Sequence, residues 1–244
     1  MSDVYQTPEA ELVEAVKPGE YGSVENALKG NYNFNIKEVL TEAWEKTNGN
    51  KASIFGATIC LTVISFVIAA ISFSIFPQTG SSLSLGDLLN TVANALLTGP
   101  IFAATLLMGI KVSVNKKITI NEIGKYWHKI LPIFLIYMAI YFLIVLGIIA
   151  LVLPGVYLMV SYMMAIQLLV EKDMGIWEAL ETSRKAITKK WFTMFFYLII
   201  LLVTIVVSAI PLLIGLIWTV PFMNIASGII YRNMFGVEPS TLES

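Results

Sequence analysis

Six stretches of the chain are nearly unbroken in apolar residues, near 53–76, 92–113, 130–151, 154–171, 192–210 and 212–231. Each approaches the ~20 residues that an α-helix needs to cross ~30 Å of hydrocarbon. The pattern predicts an all-α integral membrane bundle of six transmembrane helices. The last division is the faintest, because SAIPLLIG (Ser208 to Gly215) barely interrupts the run. A single helix over 192–231 would be ~60 Å long at ~1.5 Å per residue, twice the bilayer. Pro211 and Gly215 fit a turn, so two spans are expected there. At Leu153-Pro154-Gly155 a tight turn is expected to open the fourth span, with Pro154 tolerated in a first helical turn and Gly155 allowing the reversal.

A different period appears between the runs. In GIWEALETSRKAITKKW (Gly175 to Trp191), Ile176, Ala179, Leu180, Ser183 and Ile187 recur at spacings of three and four, the stripe of an amphipathic helix. Glu178, Glu181, Lys185 and Lys189 fall on the other face. Asn35 to Lys46 precedes the first span in the same way, and Thr119 to Leu131 leads into the third. Aligning Ile36, Ile120 and Ile176 also aligns Glu38, Glu122 and Glu178. The expectation is three repeats of one unit, an interfacial amphipathic helix followed by two spans. Asn35 and Thr119 are good N-cap residues and Gly175 a tolerable one, which sets each glutamate at capping-box spacing. Capping accounts for these glutamates better than a catalytic or ligand-binding role.

Composition agrees with the pattern. The chain of 244 residues is 57% hydrophobic and 14% charged, and its mean hydropathy is +0.76. Soluble domains carry roughly 25% charged residues. The sixteen Lys and Arg residues then orient the bundle. With the N-terminus in the cytoplasm, the outer loops at 77–91, at Leu153–Gly155 and near Pro211 contain none of them, as the positive-inside rule requires. Both termini are expected to be cytoplasmic. Trp44, Trp127, Trp177 and Trp191 lie on or beside the amphipathic segments, where indole rings prefer to sit. Lys116, Lys117, Lys125 and Lys129 should attract anionic lipid headgroups.

Residues 1–35 are acidic and poor in apolar side chains, and a largely disordered cytoplasmic tail is expected there. Within it YQTPEAEL (Tyr5 to Leu12) reads as solvated tail rather than a docking motif. The membrane domain is then 36–235, and 236–244 a short C-terminal tail. The first apolar run comes after about fifty mostly polar residues, so it is expected to be an uncleaved span rather than a signal peptide.

Chemistry-bearing patterns are sparse. The single Cys60 sits in an apolar run, and one histidine, His128, argues against a histidine-based metal site. There is no HExxH, GxSxG or P-loop. Glu171 and Asp173 flank Lys172 in what reads as a solvated turn. No catalytic residue, cofactor, metal or nucleic-acid partner is expected. Central portions of the six runs lack charge but carry Asn94, Thr98, Gln167, Thr204, Thr219 and Asn224. Such residues mostly hydrogen-bond between helices. A polar pathway through Asn94, Gln167 and Asn224 is the minority reading, and Pro100 and Pro221 are candidate kinks.

Leu153 to Trp191 resembles a pattern in uncharacterised bacterial multi-spanning inner-membrane proteins, the YciC-like and related families. The resemblance rests on Leu153-Pro154-Gly155 with Tyr157, then Glu178-Ala179-Leu180 with Ser183. It implies a bacterial inner-membrane location and brings no catalytic residues. Two functions are expected from these readings. One is a non-enzymatic scaffold or accessory subunit that binds lipids and other membrane proteins or itself; the other is a channel or transporter for a neutral or lipidic substrate.

Overall fold

The computed structural model describes residues 21–75 and 85–243, and every regular element among them is helical. Five stretches are long and apolar enough to cross a membrane: Lys51–Ile71, Leu89–Ser113, Ile120–Ala150, Val152–Glu171 and Trp191–Ala209. They belong to α3 (Lys51–Ile75), α4 (Leu85–Ser113), α5 (Ile130–Ala150), α6 (Val152–Ser161) with α7 (Ala165–Glu171), and α9 (Trp191–Ala209). The sixth apolar run forms α10 (Leu216–Phe235), which is not among the five. The reason lies in its surroundings. Ile225, Ala226 and Gly228 to Arg232 are buried against protein, so the helix needs no lipid-compatible exterior and carries Thr219, Asn224 and Arg232.

α4 and α10 form the centre. A Cβ on Gly228 would lie 2.2 Å from the Gly109 carbonyl, and one on Gly109 2.2 Å from the Asn224 carbonyl oxygen, so the two backbones touch. Only glycine permits that approach, the small-residue packing used where lipid supplies no hydrophobic drive between helices.

The α5–α6 reversal is tighter than expected, and its glycine works differently. Leu151 alone is extended (φ −167°, ψ 147°), and α6 begins at Val152 with Pro154 and Gly155 already helical. Gly155 is not the bend; it lies where a Cβ would be 2.9 Å from the Ile148 backbone nitrogen. A Cβ on Gly147 would in turn lie 3.0 Å from the Gly155 backbone. Gly155 is needed for close approach, not for conformational freedom.

The fourth run is broken at Tyr162–Met164, between α6 and α7. The break is stitched from α8 (Ile176–Thr188): the Ser183 hydroxyl donates to the Ser161 carbonyl (2.7 Å) and accepts from the Met164 N–H (3.3 Å). α8 thus runs antiparallel along α7 and α6. Its stripe, Ala179, Leu180, Ser183 and Ile187 with Thr182 and Ala186, is buried, while Glu178, Lys185 and Lys189 face outward.

The three amphipathic segments differ in form. α2 (Ile36–Thr47) is a helix capped by the Asn35 side chain, which accepts from the Lys37 N–H at 3.1 Å. The middle segment forms two 3-10 turns, Ile120–Gly124 and Trp127–Lys129, with no side-chain cap at Thr119. Its glutamate, Glu122, has a stronger partner in the buried Lys111.

A largely disordered tail was expected over 1–35; the structure packs residues 21–35 against the bundle, while Tyr5 to Leu12 lies outside the described residues. α1 (Val24–Lys29) starts at Ser23, whose hydroxyl accepts from Asn26, and ends at Gly30 with φ 82°. Few residues here are apolar, but Ala27, Tyr32 and Phe34 are buried, and Tyr21, Val24 and Leu28 half-buried. The Phe34 ring meets Tyr197 edge-on at 5.9 Å. The C-terminal tail is docked as well. The Glu238 N–H donates to Glu171 at 2.6 Å, ahead of α11 (Pro239–Glu243).

Candidate functional site

Charge gathers at one end of the bundle, and its buried members, Lys111, Glu171 and Arg232, are all paired. Arg232, near the end of α10, holds Glu42 of α2 through two bonds, Nη1–Oε1 at 2.8 Å and Nη2–Oε2 at 2.9 Å. It also donates to the Ser113 carbonyl at the end of α4, and its guanidinium lies 4.7 Å from the Tyr21 ring. Planar bidentate pairing of this kind fixes orientation as well as distance. Lys46 reaches Glu42 at 3.7 Å and donates to Asn115, and burial lowers its pKa. A second lock joins buried Lys111 to Glu122 at 2.7 Å. In a third, the buried Glu171 carboxylate accepts from the Tyr231 hydroxyl (2.8 Å) and the Glu238 N–H, with Lys172 at 3.6 Å. Lys172 in turn bonds Glu238 at 2.8 Å.

These contacts redistribute the roles read from sequence. Of the three aligned glutamates, Glu178 alone reaches back to its N-cap N–H, that of Gly175, at 3.4 Å. Glu38 instead accepts from the Asn35 side chain at 2.8 Å, and Glu122 pairs with Lys111. The spacing that suggested one shared capping box therefore covers three different bonds. Arg232, Glu42, Lys111 and Tyr231 were not singled out by sequence reasoning. The turn read as solvated is so only at Asp173: Glu171 and Lys172 are turned inward because Tyr231 and Glu238 supply their partners. Lys111 and Arg232 each stand near the edge of an apolar run, where a basic side chain ordinarily snorkels to the interface, so position along the chain gave no signal of their burial.

The three residues of the candidate polar pathway, Asn94, Gln167 and Asn224, do not meet. Asn94 on α4 accepts from Ser65 on α3 at 3.1 Å. Gln167 on α7 donates to Ser227 on α10 at 3.2 Å. Asn224 donates to Val220 of its own helix at 3.3 Å. No bond joins any two of the three, and each has a partner of its own.

A lysine stands at the start of each of α3, α5 and α9. Lys51 lies 5.0 Å from the Trp218 ring. Lys129 bonds Asp173 (2.8 Å) and the Val170 carbonyl (3.1 Å), and holds the Asp173 carboxyl below the usual carboxylate range. Lys190 donates to the Tyr32 carbonyl at 2.6 Å. Beside it the Trp191 ring stacks on Tyr157 and on Phe195. Arg184 grips Glu181 at 2.9 and 2.8 Å, which keeps that carboxyl below its ordinary range.

Comparison with protein-family models, curated proteins and solved structures finds no match.

Proposed function

We propose that the chain is a non-enzymatic protein of a bacterial inner membrane, a scaffold or accessory subunit that binds lipids and other membrane proteins. α10 serves as the sixth span, and the charged end, with both termini, lies in the cytoplasm. The resemblance of Leu153 to Trp191 to YciC-like proteins supports the location. The absence of Lys and Arg from 77–91 supports the orientation. The observation that carries the functional reading is how the buried ionic groups are used. Arg232 with Glu42, Lys111 with Glu122, and Glu171 with Tyr231 each join two elements. Such pairs give a rigid frame whose apolar flanks, α3, α5 and α9, are free to meet lipid or a partner's spans.

Purification in mild detergent, with copurifying proteins and lipids identified by mass spectrometry, tests the reading. A protein partner recovered in fixed ratio is expected. Recovery of the chain alone, with solute flux in proteoliposomes, would move the assignment to a channel or transporter for a neutral or lipidic substrate. The unpartnered buried Gln167 Oε1 is what favours that second reading. For orientation, cysteines at Ser81 or Ser82 in a Cys60→Ser background should react with an impermeant reagent from outside. One at exposed Thr188 should be shielded.

A further inference from the structure

α8 ends in a run of cations that the ionic locks do not use up. Arg184, Lys185 and Lys189 line, with Thr188 and with Leu28 of α1, a cleft of about 300 Å³. Arg184 is held in place by Glu181, and its Nη1 lies 3.5 Å from the Tyr157 hydroxyl, which also bonds Thr188 at 2.6 Å. Lys185 is 59% exposed and only 3.6 Å from the same Glu181 carboxylate, which Arg184 already occupies. Lys189 has no carboxylate partner among the described residues, and its stem rests on Gly30, where a Cβ would lie 3.1 Å from the lysine Cβ. Three cations and one carboxylate leave an uncompensated charge of about two around the cleft. Basic side chains in a last helical turn offset the helix dipole, which explains one such residue but neither a three-sided cleft nor a held guanidinium. A second cleft, lined by Lys129, Asp173, Met174 and Ile176 among others, differs in that its one cation is already bound to Asp173.

The residues C-terminal to the cluster identify the kind of ligand. The chain passes through Lys190 into α9, where Phe192, Phe196, Ile199 and Val203 are exposed at spacings of three and four. A basic cleft therefore adjoins an outward apolar stripe, with Trp191 and Tyr157 stacked at the junction. Phosphate above and acyl chain below is the division an anionic phospholipid presents.

We propose that the cleft between α1 and the C-terminal half of α8 binds the phosphate of an anionic phospholipid headgroup, whose acyl chain lies along the exposed stripe of α9. The site rests on the reading of the chain as a membrane protein with its charged end in the cytoplasmic leaflet. Failure of that reading would appear as outside labelling of a cysteine at position 188, whereas failure of the site appears only in lipid affinity.

The test is native mass spectrometry of the full chain in detergent, titrated with phosphatidylglycerol or with phosphatidylcholine. A lysine near an anionic lipid surface is worth about fivefold in binding. The double variant Lys185→Gln/Lys189→Gln should therefore weaken the tightest phosphatidylglycerol site at least about tenfold and leave phosphatidylcholine binding unchanged. Lys116→Gln/Lys117→Gln should retain the wild-type affinity, and melting temperatures should stay at the wild-type value. Lys189→Gln alone should give an intermediate loss. Equal phosphatidylglycerol affinity in wild type and double variant would overturn the proposal, as would phosphatidylcholine binding as tight as phosphatidylglycerol. Inorganic phosphate binding as tightly as phosphatidylglycerol would also overturn it, because the acyl chain would then contribute nothing. If deleting residues 1–20 raised phosphatidylglycerol affinity as much as the lysine substitutions lowered it, the acidic N-terminal segment would be the occupant instead.

Discussion

The helices that cross at the centre and those around the outside obey opposite rules. In the most apolar windows of α4 and of α6–α7, 67% and 56% of residues are buried. In those of α3, of α5 with the turns before it, and of α9, the shares are 17%, 11% and 17%. Yet the outer three are the more hydrophobic. In a soluble bundle the most apolar helix would be the central one. Here lipid is as apolar as leucine, so hydrophobicity does not draw helices together, and contact is decided by small residues and polar bonds. The centre accordingly holds Gly109, Gly228, Ala103 and Ala104 with Gln167, Lys111 and Arg232. The outside holds Phe66, Tyr141, Ile149, Phe192 and Val206.

The sharpest way to break this comparison is to force the central pair apart. Gly228→Leu places a side chain where the Gly109 backbone lies 2.2 Å from a Cβ. Loss of monodisperse protein in fluorescence-detected gel filtration is expected, and a normal peak would show that α4 and α10 do not cross there. Next in size is Leu180→Glu, on the docked face of α8. It loses roughly 1.5–3 kcal/mol of burial and forces a carboxylate against α6 and α7. At roughly 2–4 °C per kcal/mol the melting temperature should fall by at least ~6 °C. Leu107→Ala tests the centre against the rim. Leu107 is 1% exposed and Phe66 is 74% exposed. The first truncation should cost about 2–5 kcal/mol and Phe66→Ala much less, although phenylalanine is the larger residue. Equal losses would erase the distinction between inner and outer helices. Glu42→Gln, which leaves Arg232 without its carboxylate, should cost about 1.5–3 kcal/mol. Smallest of all, Lys185→Glu on the outer face of α8 removes a surface ion pair worth about 0.3–0.5 kcal/mol. It should leave the melting temperature within ~2 °C of wild type.

Local periodicity carried far along this chain. The stripe of α8 was legible because Ala179, Leu180, Ser183 and Ile187 recur at helical spacing, and those residues are buried. What periodicity could not tell is which solvent the stripe meets. It meets α6 and α7, and Ser183, an ordinary member of the stripe by spacing, is the residue that satisfies the broken backbone of the fourth run. The same limit applies to Glu38, Glu122 and Glu178. Their equal spacing was visible, but Lys111 lies on a different helix from Glu122, and no spacing rule connects residues across a bundle. Tyr32 and Phe34 were assigned to a tail because two aromatics in a polar stretch carry no period; the Ala186 carbonyl and the Tyr197 ring receive them.

The amino-acid sequence by itself determined the helical class, the positions of the apolar runs and the segregation of basic residues, because each arises from side-chain chemistry summed over neighbours in the chain. Tertiary structure alone decided which helices are inner and outer, that Gly155 and Gly228 serve close approach, and that Arg232 is paired with Glu42, 190 positions away. Those outcomes depend on backbones meeting within a few ångströms and on charges finding partners in three dimensions. The run that became α10 shows the division most plainly. Its apolar residues specify a helix, but whether lipid or protein surrounds that helix is settled by what Gly109 allows to pack against it.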